Sequence, residues 1–242
     1  MHDVDTAHTD PCFHRGGPLA TELTLHMPFS VSSVAIGLVL AGVLSIMSAS
    51  HHDREEQTSA DHGHAMHEMM FHLFHPAHML FSAAATTAMF WRYDHRAVRA
   101  VLVGLAGAVI VCGISDIAIP TLSARILGKD FPEPWHICVW DHPGLVLPFA
   151  GIGILLGLIA AMGVGASTLF SHSLHVFTST MASIFYLVGQ YASTTAWIDD
   201  IGPVFLLIIV AVLIPCCVSD IAFPVLMSRP ARARYLAEGH TH

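Results

Sequence analysis

The segment CGISDIAIPTL, residues 112–122, recurs as CCVSDIAFPVL, residues 216–226, identical at seven of eleven positions without a gap. Chance convergence at that density is improbable, so the chain is read as an internal duplication. Working outward, HPAHMLFS (75–82) precedes the first copy and HSLHVFTS (172–179) precedes the second. These pair His75 with His172, His78 with His175, and Ser82 with Ser179. Farther out the match weakens to HMPFS (26–30) against DHPGLVLPF (141–149), which sets His26 and His142 just before apolar runs.

Composition identifies the solvent of this duplication. With 54% hydrophobic residues, 12% charged residues and a mean hydropathy of +0.61, the chain lies outside the range of an ordinary soluble domain. Six stretches, 27–49, 70–91, 98–124, 144–165, 169–190 and 202–227, approach or exceed the ~20 apolar residues that cross a bilayer as a helix. The expected fold is therefore an all-α polytopic membrane protein of six transmembrane helices. Small residues recur in GLVLAG, FSAAATTA, LVGLAGA and STMAS, which suits close helix packing where lipid supplies no hydrophobic driving force. Three spans per repeat is an odd number, so the second repeat enters the membrane upside down relative to the first, as in inverted-repeat transporters. The divisions are a segment 1–25, a first repeat 26–127 with a His-rich outer loop at 50–69, an outer loop 128–141, a second repeat 142–228 and a tail 229–242.

Orientation follows from the basic residues, which concentrate on the cytoplasmic side. With the N-terminus inside, Arg15, Arg92, Arg96, Arg99, Arg229, Arg232 and Arg234 face inward, against Arg54, Arg125 and Lys129 outside. Both termini are expected inside, in a bacterial-type cytoplasmic membrane. The opening MHDVDTAHTD lacks a basic leader, so the first span is expected to stay as an anchor. Cys138 is the one cysteine expected in an outer segment, so no disulfide framework forms there. A net charge of −8 without a basic tract argues against a nucleic-acid partner.

Chemistry concentrates in the repeated motifs. Of eighteen acidic residues, only Asp116 and Asp220 fall within expected spans, where an unpaired carboxylate is costly. Each precedes a proline by four positions, Pro120 or Pro224, which cannot donate to the aspartate's own carbonyl and kinks the helix there. His75 and His78 share one helix face by their i, i+3 spacing. The reading assembles two metal sites: His75, His78, Asp116 and His142 near the outer face, and His26, His172, His175 and Asp220 near the inner face. Three imidazoles with a carboxylate suit Zn²⁺, Fe²⁺ or Mn²⁺, and imidazole also suits copper. Residues 51–79 add His51, His52, His62, His64, His67 and His72 together with Met66, Met69, Met70 and Met79, expected to act as a flexible metal-collecting segment. Trp135, His136, Cys138 and Asp141 are placed at the same outer vestibule. Cys216 and Cys217 are read as core residues, although a thiolate beside Asp220 would steer that site toward soft metals.

Two functions fit. The favoured one is a proton-coupled metal-ion transporter of zinc or copper type. The alternative is an oxidoreductase, either a b-type dihaem protein, because paired histidines near both faces can hold stacked haems, or a metal-dependent enzyme with an open coordination position. HxxH speaks against haem, since neighbours on one helix face cannot supply both axial ligands of one iron. The bland reading makes SDIAxP a packing motif whose serine and aspartate satisfy backbone broken by proline. No GxxxxGK[ST] loop occurs, so a gradient or a separate energising subunit must drive transport. Lipid, the metal ion and a possible second copy of the chain complete the expected partners.

Overall fold

The structure, a computed structural model, describes residues 18–52, 59–129, 138–162, 168–191, 193 and 195–228. Among these the chain is helical throughout, with no strand. The helices are α1 (Pro18–His52), α2 (Ser59–Tyr93), α3 (Ala97–Ala106), α4 (Ile119–Ile126), α5 (Cys138–Asp141), α6 (Pro143–Met162), α7 (Thr168–Val188), α8 (Ile201–Cys217) and α9 (Phe223–Met227).

Among the described residues four helical stretches are long and apolar enough to cross a membrane: Met27–Ala49, Ala97–Ile126, Pro143–Ala161 and Ala196–Met227. They carry an outward face of large apolar side chains, among them Val39, Ile46, Leu102, Ile110, Leu155 and Leu206. The two helices that carry the paired His-x-x-His motifs, α2 and α7, fall outside that set for a physical reason. α2 and α7 lie in the centre, packed against α6, α1, α3 and α8 and against each other, so their polar residues meet protein and not lipid. On α7 the buried run includes His175, Ser179, Thr180 and Ser183 beside Ile184, Phe185 and Leu187.

Contact between α2 and α6 depends on the absence of side chains. A Cβ on Gly153 would strike the Leu80 carbonyl, and one on Gly157 the Ala84 carbonyl. These glycines, four apart, bring two backbones together as small-xxx-small pairs do in membranes. α2 also starts earlier than its apolar stretch, at Ser59, because Ala, Met and Glu are strong helix formers without making the segment as apolar as a span. Residues 59–69 therefore extend α2, and His51 and His52 end α1, where the sequence reading has a flexible loop.

Aspartate and proline act on the backbone differently from a simple kink. α3 joins α4 through π-helical turns at Gly107–Val111 and Ile114–Ala118, and α8 joins α9 through another at Val218–Ala222. Ile119 and Phe223 bond back to the carbonyls of Ile114 and Val218, five residues earlier. Each widened turn is followed at once by Pro120 or Pro224 near the start of the next helix. Proline, lacking an N–H, is tolerated in that position. The turns carry Asp116 and Asp220, and π-bulges of this kind recur at functional sites.

Polar contacts at one end tie several helices together. Trp197 donates from Nε1 to Ser45 Oγ at 3.2 Å, and Ser45 meets His67 Nε2 at 3.3 Å. Lys129 pairs with Asp200 at 2.9 Å and stands over the Tyr191 ring at 4.6 Å. Burial and the nearby Asp200 carboxylate push the Tyr191 hydroxyl pKa up.

Candidate metal centre

Asp116 is fully buried, on the π-turn between α3 and α4, facing α2 and α7. An ionised carboxylate can only accept. His75 Nδ1 and His78 Nδ1 therefore donate to its Oδ2, at 2.8 Å and 2.7 Å. Its Oδ1 accepts from Ser115 at 2.8 Å, Ser179 at 3.3 Å and Ser183 at 3.5 Å. This number of donors is what a buried charge requires in a low-dielectric interior. On the second copy of the motif, His175 Nδ1 donates to Asp220 Oδ2 at 2.7 Å.

With both Nδ1 atoms committed to carboxylates, His78 and His175 turn their Nε2 atoms toward each other, and these meet at 2.8 Å. One hydrogen must lie between them, since two bare lone pairs would repel. The result is a buried chain from Asp116 through His78 and His175 to Asp220. Cys216, 1% exposed, brings a thiol to the same cluster: its Sγ and one ring nitrogen of each of His78 and His175 all lie within 4.8 Å of one another. Cys112, fully buried, places Sγ 3.6 Å from His78 Nε2. Phe71 stacks on His75 at 5.0 Å and tilts against Tyr186 at 5.1 Å, closing the cluster toward the His67 end of α2.

Hydroxyl contacts repeat the sequence correspondence position by position. Thr86, eight residues after His78, donates to the Ser219 carbonyl at 3.1 Å. Ser183, eight residues after His175, donates to the Ser115 carbonyl at 3.2 Å. Each histidine helix thus grips the SDIA turn of the other half, and Ser82 Oγ meets Ser219 Oγ at 3.1 Å.

Against the residues expected from sequence, the structure brings His75, His78 and Asp116 together, joins His175 to Asp220, and then joins the two sets. The sequence reading keeps them at opposite faces. They meet because α2 begins at Ser59, which moves His75 and His78 from a helix end to its middle. His142 is exposed at the start of α6 with its ring edge-on to His72 at 5.2 Å, one turn along α2 from His75. His67 is buried in the Ser45 contact. His72 comes within 3.7 Å of Glu68. The side chains of His26, His172, His51, His52, His62 and His64 lie outside the described residues, as do Trp135, His136 and the Cys138 side chain.

Cys112 and Ser183 are residues to which sequence reasoning gives no role, and Cys216 is one it reads as core, with a thiolate beside Asp220 as the alternative. Their signal is present: each cysteine precedes its aspartate by four positions in both copies, the spacing that puts two side chains on one helix face.

No protein-family model, curated protein or solved structure matches this chain.

Proposed function

We propose that the chain is a membrane transporter for a transition-metal ion, loaded at a single central site formed by His78, His175 and Cys216 and coupled to protons. The contact that carries this reading is the meeting of two Nε2 atoms whose Nδ1 hydrogens are held by Asp116 and Asp220. Imidazole bound to a carboxylate through one nitrogen and aimed at a common point with the other is the usual preparation of a metal ligand, since the carboxylate fixes tautomer and orientation and raises ligand basicity. Here the roles differ from the sequence expectation. The aspartates orient, and the imidazoles with a thiol ligate.

The metal is the cargo. Two nitrogens bound tetrahedrally at ~2.0–2.1 Å from an ion sit ~3.3 Å apart, so the 2.8 Å contact must open by roughly half an ångström. Metal entry also expels the hydrogen held between the two Nε2 atoms, because both lone pairs are then used. This supplies a direct physical basis for exchange of metal against proton. A haem is disfavoured by the same contact, since its axial nitrogens face an iron from opposite sides and these two touch. Fe²⁺ and Mn²⁺ fit less well than zinc or copper once a thiol replaces the expected carboxylate ligand.

Six crossings arranged as two inverted repeats fit this site, because in such transporters the substrate binds near the midplane between the repeats. Supporting this, the end of α1, the early part of α2 and the start of the final span meet at Ser45, His67 and Trp197. Lys129, after α4, pairs with Asp200 at the same junction before α8. His67, Trp197, Lys129 and Asp200 belong to segments expected outside, and Ser45 lies near the outer end of the first expected span. α2 and α7 then cross as polar central helices shielded by the four apolar ones. Arg92, Arg96 and Arg99, at the far end of α2 and the start of α3, support a cytoplasmic side at the opposite end, with both termini there.

Proteoliposomes containing a metal-sensitive dye test the reading. A pH gradient drives zinc or copper flux in wild type, and His78→Ala and His175→Ala abolish it. Asp116→Asn and Asp220→Asn lose the dependence on the gradient. Gradient-driven flux unchanged in all four variants would leave the cluster a structural or redox element.

A further inference from the structure

The three-donor cluster leaves one position of a tetrahedron without a protein ligand, and the duplication says where its occupant comes from. Cys112 and Cys216 open the two copies of the motif, four residues before Asp116 and Asp220. The two aspartates hold His78 and His175 by matching bonds, and Thr86 and Ser183 grip the opposite SDIA turns by matching bonds. These matched contacts pair the element that supplies Cys216 with the one that carries Cys112.

We infer that Cys112 is the fourth metal ligand, which makes the centre a His₂Cys₂ site with two-fold internal correspondence, selective for a d¹⁰ ion such as Zn²⁺ or Cu⁺. The inference rests on the proposed central site and goes beyond it by naming a ligand and a metal class. Distance supports it. For metal–nitrogen bonds of ~2.0–2.1 Å and metal–sulfur bonds of ~2.3 Å, a nitrogen and a sulfur at tetrahedral positions lie ~3.6 Å apart. Cys112 Sγ already stands 3.6 Å from His78 Nε2. A thiol sharing a hydrogen with that nitrogen has a similar separation, so along this one edge the metal takes up an existing contact. The thiol must still swing toward Cys216 and His175, because the tight three-atom cluster excludes it.

Ligand balance is simple. Binding Zn²⁺ breaks two S–H bonds and the one N–H bond between the two Nε2 atoms, forms two metal–sulfur and two metal–nitrogen bonds, and sends three protons to solvent, with both imidazoles bound as neutral donors. Two thiolates exclude Mg²⁺ and disfavour Mn²⁺, which prefer oxygen, and four protein donors at tetrahedral positions match Zn²⁺.

X-ray absorption at the zinc edge of the purified full chain, loaded with zinc alone, decides the matter. Two sulfurs at ~2.3 Å and two nitrogens at ~2.0–2.1 Å are expected. In Cys112→Ser the sulfur count falls to one while zinc remains bound. One sulfur in wild type overturns the role of Cys112 and leaves the three-donor site standing. Stoichiometric zinc with no sulfur overturns the inference and removes Cys216 as well. Failure to bind zinc or Cu⁺ at one equivalent overturns the inference and the transport reading together. Because the wild-type measurement needs no variant to fold, a misfolded Cys112→Ser does not shelter the idea.

Discussion

Asp220→Asn separates the two roles that a carboxylate near a metal can have, as ligand or as support for a ligand. In the structure its Oδ2 accepts the Nδ1 hydrogen of His175 at 2.7 Å, on the far side of the ring from the Nε2 that meets His78. Asparagine keeps the shape and leaves an acceptor oxygen in place, but it replaces a charge-assisted bond by a neutral one of about half the strength. His175 keeps its tautomer and loses basicity. Outer supports of this kind typically carry 10–100-fold in metal affinity, or about 1.4–2.7 kcal/mol. Zinc competition against a chromophoric chelator, on detergent-purified protein at fixed pH, measures the shift directly. His175→Ala, run alongside, removes a ligand and should lose more than Asp220→Asn. Two results would refute the reasoning. An unchanged affinity means the bond does not support the ligand. A loss equal to that of His175→Ala means the carboxylate itself binds the metal, as the sequence alone suggests.

Gly153→Ala places a methyl against the Leu80 carbonyl and should destabilise the α2–α6 contact by roughly 1–3 kcal/mol, the usual range for overpacking, whereas Gly151→Ala, which meets nothing within 4 Å, should be neutral or slightly stabilising. Thermal unfolding in detergent compares the two, and equal behaviour would dismiss the backbone approach. Thr86→Val and Ser183→Ala each remove one hydroxyl grip on the opposite half, worth about 0.5–1.5 kcal/mol. Together they should raise the rate at which a membrane-permeant thiol reagent labels Cys216, and an unaltered rate argues that these bonds do not hold the halves closed. Lys129→Ala should cost about 0.2–1 kcal/mol of stability, as exposed pairs do, with the difference shrinking in high salt. A larger, salt-independent loss would assign Lys129 a role other than its pair with Asp200.

Helices and the buried His–Asp pairs were legible in the sequence because both depend on local pattern. Apolar runs announce α1, α6 and the long stretches through α3–α4 and α8–α9, and a carboxylate inside such a run must find a partner. The level at which His75 and His78 sit was not legible, because an apolar window locates hydrocarbon, not the end of a helix. SADHGHAMHEM is polar yet helical, so α2 starts eleven residues before the stretch that marks it, 59 against 70. The cysteines were hidden for another reason. A buried thiol in an apolar helix reads as a small hydrophobe, and only the meeting of α2, α7 and α8 around one point gives Cys216 its neighbours. GxxxG at Gly153 and Gly157 was in plain view, but its partner on α2 requires the fold.

Duplication has a consequence that neither copy of the motif has alone. Each copy of the motif supplies a carboxylate that holds an imidazole, and the Nε2 of that ring then meets its counterpart from the other copy. The same division runs through the hydroxyl contacts, where Thr86 bonds the Ser219 carbonyl and Ser183 the Ser115 carbonyl, each reaching across to the opposite half. A change in the distance between α2 and α7 therefore acts on the two nitrogens and on both grips at once. Opening the nitrogens by the half ångström that an ion requires strains those grips, and relaxing the grips spreads the nitrogens. Under the proposed transport function, occupancy of the site and the separation of α2 from α7 would be two descriptions of one coordinate, the physical condition for moving a cargo by rocking one repeat against the other.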